Sequence, residues 1–120
     1  MRYLSFIVAA AATLALPAAA FAHAHLNHAD PAVGSTVPTA PKEVTLWFTQ
    51  KLEPKFSTVE VHNAKDAPVQ SGAATVDAAD STKMTVKLKP LPPGTYKVIW
   101  RVLSVDTHRT NGSFTFRVGP

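Results

Sequence analysis

Five histidines stand at positions 23, 25, 28, 62 and 108, and three of them fall within the six residues His23-Ala24-His25-Leu26-Asn27-His28. What precedes them gives that cluster its chemistry. The chain opens Met1-Arg2, runs apolar from Tyr3 to Leu16, breaks at Pro17 and reaches Ala20-Phe21-Ala22, the layout of a secretory signal peptide. Cleavage after Ala22 exposes His23, and the overlapping Ala22-His23-Ala24 alternative exposes His25, so either cut leaves a histidine at the new terminus. Such a residue offers two nitrogens, the α-amine and imidazole Nδ1, which together close a six-membered chelate ring around a metal. The amine has a pKa of about 7.7 and yields its proton to a metal near neutral pH. Nitrogen and oxygen donors in a tetragonal array suit Cu(II), which also heads the divalent affinity order.

Two further donors stand close together in Ser104-Val105-Asp106-Thr107-His108. Asp106 supplies oxygen and His108 nitrogen, and their spacing of two would send both to the same side of an extended segment. Taken alone, a D-x-H pair is an ordinary surface feature; beside an N-terminal histidine it becomes a candidate half-site. A competing mode needs neither residue. In His23-Ala24-His25 a free amine is followed by histidine in third place, so two deprotonated backbone amides and the His25 ring can wrap Cu(II) or Ni(II) in a square plane. A folded strand whose amides are engaged disfavours it. His25 otherwise reads as a flanking residue, His28 as a partly buried or surface histidine, and His62 as solvent-facing.

The elements that must position these residues are strands. Ten prolines and five glycines punctuate the chain, and no helical period survives between them. Val44, Leu46 and Phe48 alternate with Thr45 and Trp47, and Val59 and Val61 with Thr58 and Glu60. Met84, Val86 and Leu88 repeat the pattern, as do Tyr96, Val98, Trp100 and Val102, and finally Phe114, Phe116 and Val118. With a short strand near Ala24 to His28 and a weak one around Ala73 to Val76, about seven strands are expected. That pattern is an all-β, immunoglobulin-like sandwich. Pro92-Pro93-Gly94 is a rigid turn before the longest strand. Asn63 to Ser81, rich in Ala, Asp, Gly and Ser, reads as a long, mobile connection. Trp47 and Trp100 read as packing residues.

Composition narrows the function. The apolar run from Tyr3 to Leu16 is too short to cross about 30 Å of hydrocarbon as a helix. Removing residues 1 to 22 leaves 98 of 120, enough for one domain at 23 to 120 with one core. The net charge falls from +4 to +3 because Arg2 leaves with the signal, and the remaining cations alternate with acids. No nucleic-acid footprint results. Cysteine is absent although export would allow disulfides, so a metal site must use nitrogen and oxygen.

Across the whole mature chain the sequence resembles the copper-resistance protein C (CopC) family of periplasmic copper-binding proteins. The resemblance is carried by His23-Ala24-His25-Leu26, Asp30-Pro31-Ala32-Val33-Gly34-Ser35, Val44-Thr45-Leu46-Trp47-Phe48-Thr49 and Leu52-Glu53-Pro54-Lys55-Phe56-Ser57. It continues through Pro93-Gly94-Thr95-Tyr96-Lys97-Val98-Ile99-Trp100-Arg101-Val102, and is most diagnostic from Ser104 to Phe116. It implies a small Greek-key β-sandwich, cleavage after Ala22, and Cu(II) held by His23 through amine and ring together with Asp106 and His108. It also implies a periplasmic carrier or buffer in copper homeostasis and resistance, not an enzyme, with a CopD-like inner-membrane transporter as partner; a monomer is expected.

The sequence departs from the family pattern in two places. Some relatives carry a methionine-rich loop that binds Cu(I); the stretch from His62 to Lys83 here holds no methionine, and Met84 alone makes no multi-thioether site, so a Cu(II)-only protein is expected. At Gln50 many relatives have an acidic residue near the copper. Changes of that kind commonly cost 10 to 100-fold in metal affinity, which leaves the strength of binding open. An alternative function, a copper mono-oxygenase built on an N-terminal histidine chelate, fits less well, because Asp106 would favour Cu(II) over the Cu(I) state that oxygen chemistry needs. Imidazole and amine ligands must be deprotonated to bind, so affinity should fall as pH drops through about 6.

Overall fold

The computed structural model describes residues 24–120; the expected signal peptide and His23 lie outside them. Eight strands form: β1 Leu26–Asp30, β2 Thr36–Val37, β3 Glu43–Phe48, β4 Thr58–His62, β5 Thr75–Val76, β6 Lys83–Lys87, β7 Gly94–Leu103 and β8 Arg109–Val118. The one addition to the seven expected is β2, two residues paired parallel to the end of β8. The first strand also begins two residues later than the alternation suggested.

The strands make two four-stranded sheets, in the orders β1-β3-β6-β5 and β2-β8-β7-β4. Only β5-β6 and β7-β8 are consecutive neighbours, so every other connection crosses from one sheet to the other. That crossing pattern makes the Greek-key sandwich. Period-two alternation explains why the sheets stack: β3 turns Val44, Leu46 and Phe48 inward, β6 turns Met84 and Val86, and β7 answers with Tyr96, Val98, Trp100 and Val102. Phe114, Phe116 and Val118 complete the core from β8. Buried aliphatic and aromatic area of this kind stabilises by about 25 cal/mol per Å², and with no cysteine present it carries the fold.

The segment read as a long connection is laced to its neighbours. Asn63 Oδ1 accepts from the amides of Lys65 and Ala67, Val69 N donates to Val61 O, and Ser71 N donates to Lys87 O. Gln70 bridges to Leu88, and β5 pairs with β6.

One end of the sandwich gathers Asp106, His108 and the chain that leads into β1. The hairpin β7-β8 closes its ladder at Leu103 with Arg109, leaving Ser104 to His108 as its tip. The chain leaving β3 runs beside that tip: Glu53 N donates to Leu103 O, Leu52 bridges to Ser104, and Val105 N donates to Lys51 O.

Candidate metal centre

At the hairpin tip the backbone turns sharply. Thr107 N donates to Ser104 O at 2.8 Å and Thr107 takes φ +71, so the segment is a tight turn and not the extended stretch that spacing suggested. The outcome for the pair is nevertheless the expected one. Asp106 Oδ1 and His108 Nδ1 lie 3.4 Å apart, both on exposed residues facing solvent.

Ser104, fully buried, organises the turn from beneath. Its hydroxyl donates to Asp106 Oδ1 and accepts from the His108 amide at 3.2 Å, while its own amide donates to His108 O at 3.0 Å. The hydroxyl bond, helped by the neighbouring His108, holds the Asp106 carboxyl below the ordinary carboxylate range. An ionised carboxylate and a nearby imidazole are what a borderline divalent ion takes as ligands. Ser104 was inside the motif read from sequence, but nothing in its residue type revealed this part.

The chain just past the expected cleavage point reaches the same end. Ala24 is fully buried, and its carbonyl oxygen accepts from Thr110 Oγ1 at 2.7 Å, two residues beyond His108. His25 is held from the other sheet: its amide donates to Thr49 Oγ1 at 2.9 Å, and its carbonyl accepts from Thr49 N at 2.9 Å. Gln50, half-buried, therefore sits between a residue that grips the N-terminal segment and Lys51, which holds the turn through Val105. Sequence reasoning missed both threonines.

The remaining candidates go elsewhere. His28 is exposed and stacks on Trp47, ring centroids 4.3 Å apart, with Lys83 Nζ over the same indole. Trp47 thus packs on the outer face of its sheet, whereas Trp100 is buried edge-on to Phe48 at 5.2 Å. His62 is not solvent-facing as expected. Its Nδ1 lies 2.9 Å from Asp66 Oδ1 and its Nε2 3.0 Å from Glu60 Oε1, and these carboxylates, Asp66 foremost, raise its pKa above the ordinary histidine value. Met84 is buried in the core and cannot serve as a surface thioether ligand.

Among the described residues no three His, Cys, Asp or Glu side chains gather as a metal-binding group. Asp106 and His108 are two candidate donors side by side, and residue 23 is covalently joined to the buried residue that Thr110 tethers two positions beyond His108.

The family model of the CopC domain matches residues 26–119. The chain belongs to the CopC family. Copper resistance protein C of Xanthomonas campestris pv. juglandis is 40% identical over 118 residues, covering 93% of this chain and 91% of that protein. The crystal structure of CopC from Methylosinus trichosporium OB3b superposes with a TM-score of 0.77 at 32% identity, covering 82% of this chain and 95% of that one. The structure of PcoC, a methionine-rich copper resistance protein from Escherichia coli, superposes with a TM-score of 0.68 at 38% identity, covering 81% and 99%. CopC-like here describes fold as well as sequence, since both structures share the sandwich. The methionine content of PcoC finds no counterpart in this chain, whose two methionines are Met1 and the buried Met84.

Proposed function

We propose that this CopC-family protein is exported through a signal peptide cleaved after Ala22 and carries or buffers Cu(II) in the periplasm. Its ligands are His23, through α-amine and imidazole, with Asp106 and His108. Binding and release are the function, and the chain makes and breaks no covalent bond.

The observation that carries this reading is the tether between Thr110 and Ala24. Position 23 is one residue from Ala24, whose carbonyl Thr110 holds two residues beyond His108, and this sequence distance supports a shared site. Ser104 supplies the complementary part: its hydroxyl bond orients the Asp106 carboxylate and holds its pKa down, so a proton competes less for that oxygen. An all-nitrogen-and-oxygen site with an anionic ligand, and no thioether at the surface of the described residues, favours Cu(II) over Cu(I). Copper leaves such a carrier for an acceptor of higher affinity, and a CopD-like inner-membrane transporter suits that role. The protein acts as a monomer.

The test is an electron paramagnetic resonance spectrum of Cu(II) on the exported protein, alongside His108→Ala and a form with one extra N-terminal glycine. Both changes should disturb a tetragonal spectrum and weaken binding. If only the added glycine matters, copper is held by the terminal peptide and the folded site is wrong.

A further inference from the structure

A terminus reading His23-Ala24-His25 has two incompatible ways to hold Cu(II). In the folded site the backbone stays in place and Asp106 and His108 complete the coordination. In the other, the terminal peptide alone supplies the α-amine, the amide nitrogens of Ala24 and His25, and the His25 ring. That second mode is square planar and all-nitrogen, it suits Ni(II) as well as Cu(II), and it would sever the metal from the rest of the fold. Something must choose between them.

The second mode requires the His25 nitrogen to turn toward the metal, with the ion taking the place of the amide proton. In the structure that N–H is committed to Thr49 Oγ1 at 2.9 Å. The peptide on the other side of His25 is also committed to Thr49, through the bond from Thr49 N to His25 O at 2.9 Å. Wrapping the terminus would further require Ala24, fully buried, to leave its place and its carbonyl to leave Thr110. Pairing of β1 with β3 begins one residue later, at Leu26 with Phe48, and the register then shifts between Leu26 and His28.

We infer that Thr49 is a positioning residue that selects the coordination mode: its hydroxyl locks the His25 amide, excludes the terminal amide chelate, and thereby discriminates against Ni(II). The inference rests on the reading that His23 is the mature N-terminus. Thr49 is exposed, so replacing its hydroxyl leaves the core intact while the Thr49 N to His25 O bond survives.

The exported protein is loaded with one equivalent of Cu(II), and its paramagnetic resonance spectrum is compared with that of a synthetic His-Ala-His-Leu-Asn-His peptide. Thr49→Val, Thr49→Ala and Thr49→Ser are measured alone and with His108→Ala, and Ni(II) affinity is titrated for each. The wild-type spectrum should differ from the peptide's and change with His108→Ala. Thr49→Val and Thr49→Ala should add the peptide-like signals, keep them when His108 is also replaced, and raise Ni(II) affinity by about five- to tenfold, the worth of one hydrogen bond. Thr49→Ser should behave as wild type. Agreement of all three with wild type, in a protein still sensitive to His108→Ala, overturns the inference and leaves the folded site standing. A wild-type spectrum already matching the peptide and indifferent to His108→Ala overturns the folded site, and the inference with it, because Thr49 would then be blocking nothing.

Discussion

The Thr110 hydroxyl donates to the Ala24 carbonyl at 2.7 Å, joining residues 86 apart in sequence at the end of the sandwich where the β7-β8 hairpin turns. Thr110 belongs to β8 in one sheet and Ala24 leads into β1 at the edge of the other, so the bond crosses between sheets. It brings the chain end that follows the expected cleavage point to the turn holding Asp106 and His108. The bond costs little to form, because Thr110 is already fixed by its place opposite Val102 in the ladder.

Replacing Thr110 by valine should therefore affect binding more than folding. A single net hydrogen bond contributes about 1 kcal/mol to stability, which a urea titration would read as a small shift of the midpoint. Cu(II) affinity, measured by competition with a chelator, should fall roughly tenfold as the terminus proposed to carry a ligand loses its tether. An unchanged affinity would mean that the terminus is positioned by its other contacts alone.

Ser104→Ala removes the hydroxyl that holds the Asp106 carboxyl down. The Asp106 pKa should rise toward the ordinary carboxylate value, followed by nuclear magnetic resonance of its side chain. The sign of the accompanying stability change follows from linkage. A depressed carboxyl stabilises the fold above its unfolded value and loses that contribution as pH falls through the depressed one, so in the variant, whose folded value returns toward the unfolded one, the contribution shrinks and acid should destabilise it less steeply than wild type. Copper binding should instead become more acid-sensitive, because a proton competes for Asp106 from a higher pH.

The strands were legible wherever two or more buried apolar residues alternated with less buried neighbours along the chain, which covers β3, β4, β6, β7 and β8. β2 was not, because two residues cannot show a period and Thr36 and Val37 are strand only through their pairing with Arg117 and Val118. Asp106 and His108 were legible as donor types two apart, although a turn and not an extended segment unites them. Ser104, Thr49 and Thr110 carried no such signal. A hydroxyl acts through whatever the fold brings beside it, and His25 lies 24 residues from Thr49 and Ala24 86 from Thr110. His62 was misread for the same reason: its carboxylate partner Asp66 is delivered by a turn built on Asn63.

Gln50→Glu should strengthen copper binding. Position 50 lies on the short run that links the grip on His25 to the grip on Val105, so a carboxylate there would add negative charge near the proposed Cu(II) site. The gain should be about tenfold by competition titration at low salt, shrinking as ionic strength rises. Equal affinity for the two proteins would place the side chain away from the metal.

His62 gives the fold a small pH dependence of its own. Its raised pKa means that its ion pairs with Asp66 and Glu60 stabilise the protein fully below the unfolded histidine value, and that this is lost as pH rises through the raised folded value. Arg101 competes for Glu60 at 3.6 Å, and Lys97 pairs opposite His62, so the contribution stays at about 1 kcal/mol or less. Urea unfolding from pH 5 to 8 should show a decline that His62→Gln abolishes; parallel profiles for the two proteins would contradict it.

Gly112 is the position where a single methyl group should do most damage. It lies opposite Trp100 in the β7-β8 ladder, and a Cβ there would fall 2.5 Å from Trp100 Cζ2 and 2.9 Å from Cε2. The indole cannot retreat freely, because it is buried and meets Phe48 edge-on at 5.2 Å. Overpacking of this kind costs about 1 to 3 kcal/mol, and in a domain of this size each kcal/mol lowers the melting temperature by roughly 4 to 8 °C. Gly112→Ala should therefore melt several degrees lower with altered tryptophan emission. The strain should also reach the proposed copper site, since Phe48 is the last residue of β3 and Thr49, which clasps His25, follows it directly. Cu(II) affinity should weaken together with stability in Gly112→Ala, and Trp100→Phe in the same background, by making room for the methyl group, should restore part of both.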